Sequence, residues 1–216
     1  MLLSELNIDV GVKSVLANCE LRPCQEKAVS AGVLDGKSVL VCSPTASGKT
    51  LVGELACVKT VYSGKKAVYV VPLIALANEK YRQFQARYSS LFRIGLSSGD
   101  LDSLDPALAS FDLLVCTAEK LDSLVRHKAS WIFDVGCLVV DEIHLLNEPS
   151  RGPVLEVVIT LLRSLLPKLQ IVGLSATIGN PEELAGWLGA ALVKDSWRPV
   201  PLHQGVYLEG KLDFFK

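Results

Sequence analysis

The sequence predicts an α/β domain in which a mostly parallel sheet is covered by helices on both faces. Three observations lead there. Short runs rich in Val, Leu and Ile alternate along the chain with longer helix-like segments, the signature of a helix-covered parallel sheet. Most of the short runs lack polar alternation, as strands buried on both faces do. One run passes through Gly48-Lys49-Thr50 directly into a helical segment, the order of a phosphate-binding strand, loop and helix.

In chain order, the apolar runs place strands at 38–42, 67–71, 93–96, 112–116, 136–140 and 170–174. Helices are expected at 49–62, 73–88, 118–126, 154–166 and 181–188, with an earlier one over 24–31 behind Pro23. Asn180 followed by Pro181, Glu182 and Glu183 combines a capping residue, a first-turn proline and early carboxylates, a strong helix start. Segment 99–110 is polar and reads as an excursion loop between two strands. From Trp197 onward the alternation lapses, and Pro199 and Pro201 flank Val200, which predicts an extended exit segment followed by a short strand. The expected division is a domain over 1–199, with a short N-terminal helical segment, and an exit segment over 200–216.

Composition sets limits. At 216 residues, 50% hydrophobic and 21% charged, the chain suits one generous domain and not a disordered segment. The formal net charge of −1 gives no overall attraction for a polyanion, so such binding would need local patches. The six cysteines form no CxxC pair, which removes zinc spacing; Cys42, Cys116 and Cys137 lie in or beside strand-like runs and read as small buried hydrophobes. The N-terminus carries Glu5 and Asp9 where a signal peptide needs a basic and then apolar stretch. The longest apolar stretch, 154–166, is broken by Glu156 and Arg163 and is too short to span a bilayer. The expectation is a soluble intracellular protein with no membrane partner.

The chemistry begins at SVLVCSPTASGKTLVGEL. Successive backbone N–H groups of such a loop wrap a triphosphate, and the positive end of the following helix points at it. Ser43, Pro44, Thr45, Ala46, Ser47 and Gly48 form the cradle. Gly48 lets the backbone approach closely, Lys49 neutralises the β- and γ-oxygens of the triphosphate, and Thr50 offers a hydroxyl to Mg²⁺. Ser43 stands where the usual pattern has its first glycine, a departure that a small residue can accommodate. The run CLVVDEIH then ends a second strand in two carboxylates. Side chains alternate along a strand, but where the backbone turns both can address one site. Asp141 is assigned to Mg²⁺ and Glu142 to the attacking water, which it orients and deprotonates.

SPTASGKT at 43–50, DEIH at 141–144 and SAT at 175–177 occur in the order and approximate spacing of the superfamily 2 DExH-box helicases, which the chain resembles. VPLIALANEKY at 71–81, SSGD at 97–100, TAEKLDSLVR at 117–126 and LRPCQEKA at 21–28 agree with further motifs of that family, and DEIHLLNEPSRGPVLE is especially similar to the archaeal Hjm-type repair helicases and their superkiller-like relatives. The resemblance covers about residues 20–200. It implies a RecA-like P-loop NTPase fold and a motor that uses Mg²⁺ and ATP to move along single-stranded or forked nucleic acid, DNA favoured over RNA. It also implies a second RecA-like domain in the full polypeptide, supplying arginines to the nucleotide, and a cytoplasmic, nucleoid-associated place in a prokaryote.

By the same resemblance Gln25 reads the adenine edge, while His144, Ser175 and Thr177 couple hydrolysis to movement. Pro72, Leu73 and Thr117 follow strands where the family tracks a strand's phosphates, contacts that need no strongly basic domain. Arg126, His127 and Lys128 form a small basic cluster, equally readable as a helix C-terminus with favourable cations. Trp131, Trp187 and Trp197 read as packing residues. The alternatives are an RNA helicase, another P-loop enzyme such as a small-molecule kinase, or a nucleotide-gated module without turnover. An ABC-type ATPase lacks its LSGGQ signature here.

Overall fold

The computed structural model describes residues 1–16, 20–97, 106–203 and 205–214. Seven strands form one all-parallel sheet: β1 Val39–Cys42, β2 Lys66–Val71, β3 Ile94–Ser97, β4 Leu113–Thr117, β5 Val135–Val140, β6 Gln170–Ser175 and β7 Ala191–Lys194. Their order across the sheet is β3-β4-β2-β5-β6-β1-β7. The helices are α1 Val10–Val15, α2 Pro23–Ser30, α3 Thr50–Tyr62, α4 Ile74–Tyr88, α5 Ala118–Arg126, α6 Gly152–Leu165 and α7 Pro181–Leu188.

Alternation along each strand divides the core in two. Val39 and Val41 of β1, Tyr69 of β2 and Val139 of β5 face a cluster built with Val52, Leu55 and Val58 of α3 and Phe84 of α4. Leu40, Val68, Val70, Leu138 and Val140 face the opposite cluster, with Leu121 and Leu124 of α5, Val158 and Leu162 of α6, and Leu188 of α7. The near-continuous apolar strands are thus explained: both faces are covered. Helix α3 rides close to the sheet because Gly53 is glycine; a Cβ there would meet Val139 Cγ1 at 2.7 Å and Tyr69 Cε2 at 3.2 Å.

The expected fold class holds, and all six strands read from the sequence are present within a residue at either end. One strand was missed. β7 is a four-residue edge strand beside β1 in which only Val193 is fully buried, so it has no long apolar run to announce it. Of the 99–110 excursion, residues 99–105 and most of the SSGD segment lie outside the described residues; 106–110 form a 3₁₀ turn (Pro106–Ser110). The expected short strand after the exit segment is a hairpin, β8 Gly205–Leu208 against β9 Lys211–Phe214, whose residues are all exposed.

Trp131 is buried and Trp187 packs against the second cluster, as expected. Trp197 does not: it is 37% exposed, with its ring 5.6 Å from the Arg22 guanidinium carbon. It lies between β7 and the exit segment and belongs to neither core cluster. The five described cysteines are all buried and free, and burial pushes the Cys116 thiol up to about 12, which fits inert packing residues.

Candidate nucleotide site

Because every strand of the large sheet runs the same way, the segments that follow them gather at one edge, where open α/β sheets bind ligands. Ser43 leaves β1, Pro72 leaves β2, Asp141 leaves β5, and Thr117 and Ser175 end β4 and β6.

The loop from Ser43 to Lys49 is braced from several sides. Ser43 is fully buried and its hydroxyl lies 2.7 Å from that of Ser47, stapling the two ends of the loop. Serine in place of the usual first glycine is therefore a structural part of this cradle, and the left-handed positions fall instead at Ala46 (φ 67°) and Gly48 (φ 92°). The Ser43 N–H donates to the Ser175 carbonyl at 3.2 Å, joining the loop to the end of β6. From α2, the Gln25 amide donates to the Gly48 carbonyl at 2.8 Å, and the Gln25 carbonyl oxygen accepts from the Arg22 N–H at 2.8 Å. The Arg22 guanidinium donates to the Ala46 carbonyl at 2.7 Å. A Cβ on Gly48 would sit 2.6 Å from Gln25 Nε2 and 3.0 Å from Arg22 Cδ, so it would push those braces aside, and the left-handed backbone itself favours glycine.

Lys49 is 6% exposed, yet the acid nearest its ammonium is Glu142, whose Oε1 is 3.8 Å away. A buried, directed ammonium at the start of a thirteen-residue helix is suited to a phosphate oxygen. Thr50 begins that helix.

The acidic pair turns as expected. The Asp141 N–H still donates to the Val70 carbonyl at 2.9 Å, continuing the sheet. Glu142 then adopts φ 52°, ψ 43°, a left-handed conformation that glutamate seldom takes and that clusters at functional sites. That turn brings both carboxylates to one side. Asp141 Oδ1 accepts from the Glu142 N–H at 3.1 Å and Oδ2 accepts from the Tyr69 hydroxyl at 3.0 Å. Burial, and then the adjacent Asp141 carboxylate, hold the Tyr69 phenol well above its usual range, so it remains an O–H donor. Glu142 Oε2 lies 3.3 Å from His144 Nδ1, and that nitrogen makes no aligned hydrogen bond.

Among the described residues no cluster of three or more His, Cys, Asp or Glu is placed to hold a metal. The donor set fits magnesium nonetheless: Mg²⁺ is commonly held by one carboxylate, a hydroxyl and substrate phosphates, with water completing its shell. Asp141 and Thr50 offer a carboxylate and a hydroxyl of the kinds such a set requires.

His144 lines a cavity of about 260 Å³ with Ile178 and Asn180, and so stands beside the segment that follows Ser175. Thr177 is exposed and lines a cleft shared with Pro44 of the phosphate loop and with Asp195. Ser175 is buried, and its hydroxyl has no partner among the described residues. Pro72 is half-buried and Leu73 exposed at the start of α4. Thr117 is buried and its hydroxyl accepts from the Lys120 N–H at 3.4 Å, so this side chain shapes the start of α5. Arg126 pairs with Asp122 and His127 Nδ1 reaches the Ser123 carbonyl, which makes the basic cluster a helix terminus. Arg151, by contrast, lines a small pocket with Pro72, Asp141 and Glu142. Sequence reasoning missed Arg22, Tyr69 and Trp197 at this site. Only Arg22 carried a hint, three positions before Gln25.

This braced loop, with a buried lysine facing a paired-acid turn, defines a P-loop nucleotide site on a RecA-like sheet. The chain belongs to the DEAD/DEAH box helicase family, whose model matches residues 22–184. Within it, the chain is 52% identical over 217 residues to the ATP-dependent DNA helicase Hel308 of Pyrobaculum calidifontis, covering 99% of this chain and 30% of that protein. It is 49% identical over 214 residues to the protein of the same name from Pyrococcus abyssi, covering 97% of this chain and 30% of that one. The chain therefore spans about 30% of the length of these relatives. The fold also matches the DUF1998 helicase MrfA, with a TM-score of 0.72 and 24% identity over 88% of this chain and 33% of that one. No helix among the described residues is long and apolar enough to cross a membrane.

Proposed function

We propose that this chain is the ATP-binding motor domain of a DNA helicase of the archaeal repair type. The convergence of Lys49 and Glu142, 3.8 Å apart at the edge where Asp141 and Thr50 also lie, carries the reading. The printed names of the relatives favour DNA over RNA as the track.

In this reading Lys49 exchanges Glu142 for the β- and γ-oxygens of ATP, while the loop from Ser43 to Gly48 receives the phosphates on its N–H groups. Thr50 and Asp141 would hold magnesium, which would supply charge neutralisation to the bound triphosphate. Glu142, freed from the lysine, orients the attacking water and takes its proton. His144 senses the state of Glu142 and, through the neighbouring segment of Ser175 and Thr177, relays it. Gln25 reads adenine by turning from the Gly48 carbonyl. Pro72, Leu73 and the N-terminus of α5 at Thr117 face the strand.

The segment over 200–216 leads toward a second RecA-like domain. That domain would contribute the arginines that stabilise the transferring phosphoryl group, worth roughly 10³–10⁵ in rate. The present chain should therefore bind Mg-ATP and turn it over slowly, with no unwinding. The test compares it with a polypeptide of the relatives' length: ATPase stimulated by single-stranded DNA in the longer protein supports the proposal. Equal stimulation by a non-nucleic polyanion, or duplex unwinding by this chain alone, would count against it.

A further inference from the structure

We propose that Tyr69 is a positioning residue that sets the metal-holding carboxylate of Asp141 and ties it to α3 and α4. The inference rests on the assignment of Asp141 to magnesium and adds a residue that no sequence motif identified.

Tyr69 is fully buried in the middle of β2. Phenylalanine would fill the same apolar space, and a buried hydroxyl is costly unless it has a partner. The hydroxyl has one: Asp141 Oδ2 at 3.0 Å. With Oδ1 taken by the Glu142 N–H, each carboxylate oxygen holds one protein donor. Each still has a lone pair to offer outward, which fixes both the plane of the carboxylate and the direction left for a metal or its water.

The ring is equally constrained. It passes beneath α3 at Gly53, one turn beyond Thr50, and meets Phe84 of α4 edge-on at a centroid distance of 5.2 Å. Phe84 continues to Tyr88 at 6.2 Å, and the Tyr88 hydroxyl donates to the buried Glu54 of α3 at 3.0 Å. Arg87 closes on the same Glu54 oxygen. An aromatic path with a hydroxyl at each end thus joins Asp141 to the helix that bears Thr50, by way of the helix that begins behind Leu73. Thr50 and Asp141 are kept in register from both sides.

Supporting partners of metal ligands are typically worth about 10- to 100-fold in metal affinity. The experiment follows binding of a fluorescent N-methylanthraniloyl ATP to this chain across a series of free Mg²⁺ concentrations, for the parent, Tyr69→Phe, Asp141→Asn and the double variant. Tyr69→Phe should move the Mg²⁺ midpoint up about 10-fold, while its far-ultraviolet circular dichroism and its nucleotide affinity in EDTA stay those of the parent. In the Asp141→Asn background, Tyr69→Phe should add nothing further. A Mg²⁺ midpoint unchanged by Tyr69→Phe, or a full additional shift on top of Asp141→Asn, would overturn the proposal. If instead the parent shows no magnesium-dependent nucleotide binding, the assignment of Asp141 fails, and this inference with it.

Discussion

The phosphate loop and the acidic turn sit at the same sheet edge but are held very differently. The loop is fixed before any ligand arrives: Ser43 staples Ser47, Gln25 holds Gly48, Arg22 holds Ala46, and β6 holds Ser43. The turn is divided. Asp141 is anchored through both oxygens, whereas the Glu142 side chain is 34% exposed and its ion-pair partners among the described residues are Lys49 and His144 at 3.8 and 3.3 Å. A group that orients phosphates benefits from being preorganised. Under the proposed mechanism Glu142 trades a lysine for a water and has to move, and its left-handed backbone is a strained position of the kind that clusters at functional sites.

The largest effect should come from the mobile side. Glu142→Gln, in a polypeptide of the relatives' length, should lower ATP turnover about 10²- to 10⁴-fold and leave ATP affinity within about threefold; steady-state kinetics that show normal turnover would remove Glu142 from the reaction. Lys49→Ala should weaken Mg-ATP binding by about 100-fold or more, since it removes charged contacts to phosphate. Its fold should survive, and calorimetry giving an unchanged affinity would refute the cradle. Ser43→Ala probes the braces. It leaves the Ser47 hydroxyl buried without its partner, for about 1–3 kcal/mol, seen as a thermal midpoint lower by roughly 2–10 °C; no change would mean the staple is idle. Trp197→Ala should matter least. The partly exposed cation–π contact with Arg22 is worth about 0.5–1 kcal/mol, so a loss above about 2 kcal/mol in chemical denaturation would show Trp197 to be a core residue after all.

How much of this was legible in the sequence follows the same division. Gly48, Lys49 and Thr50 could be read because phosphate chemistry demands those residue types at that spacing, and Asp141 and Glu142 because they end an apolar strand. The six longer strands were legible because two-sided burial leaves almost no polar residue in them. The edge strand β7 was not, because burial reaches only Val193 in full. The braces were invisible for a different reason. Arg22, Ser43 and Tyr69 act through partners distant in sequence or through a hydroxyl that imitates nothing in the motif, and only the assembled sheet brings Tyr69 to Asp141. Trp197 was misread because tryptophan usually marks a core, and here it belongs to neither core cluster.

In the proposed mechanism a prebuilt loop and a turn with one movable acid close on a magnesium-bound triphosphate. The most direct measurement is a crystal structure of this chain with Mg²⁺ and a non-hydrolysable ATP analogue. The loop backbone should be unchanged, with Lys49 withdrawn from Glu142 onto the phosphates and Asp141 still held by Tyr69 while it faces the metal. A triphosphate bound elsewhere, or a Lys49–Glu142 pair left intact beside it, would rule out this closure.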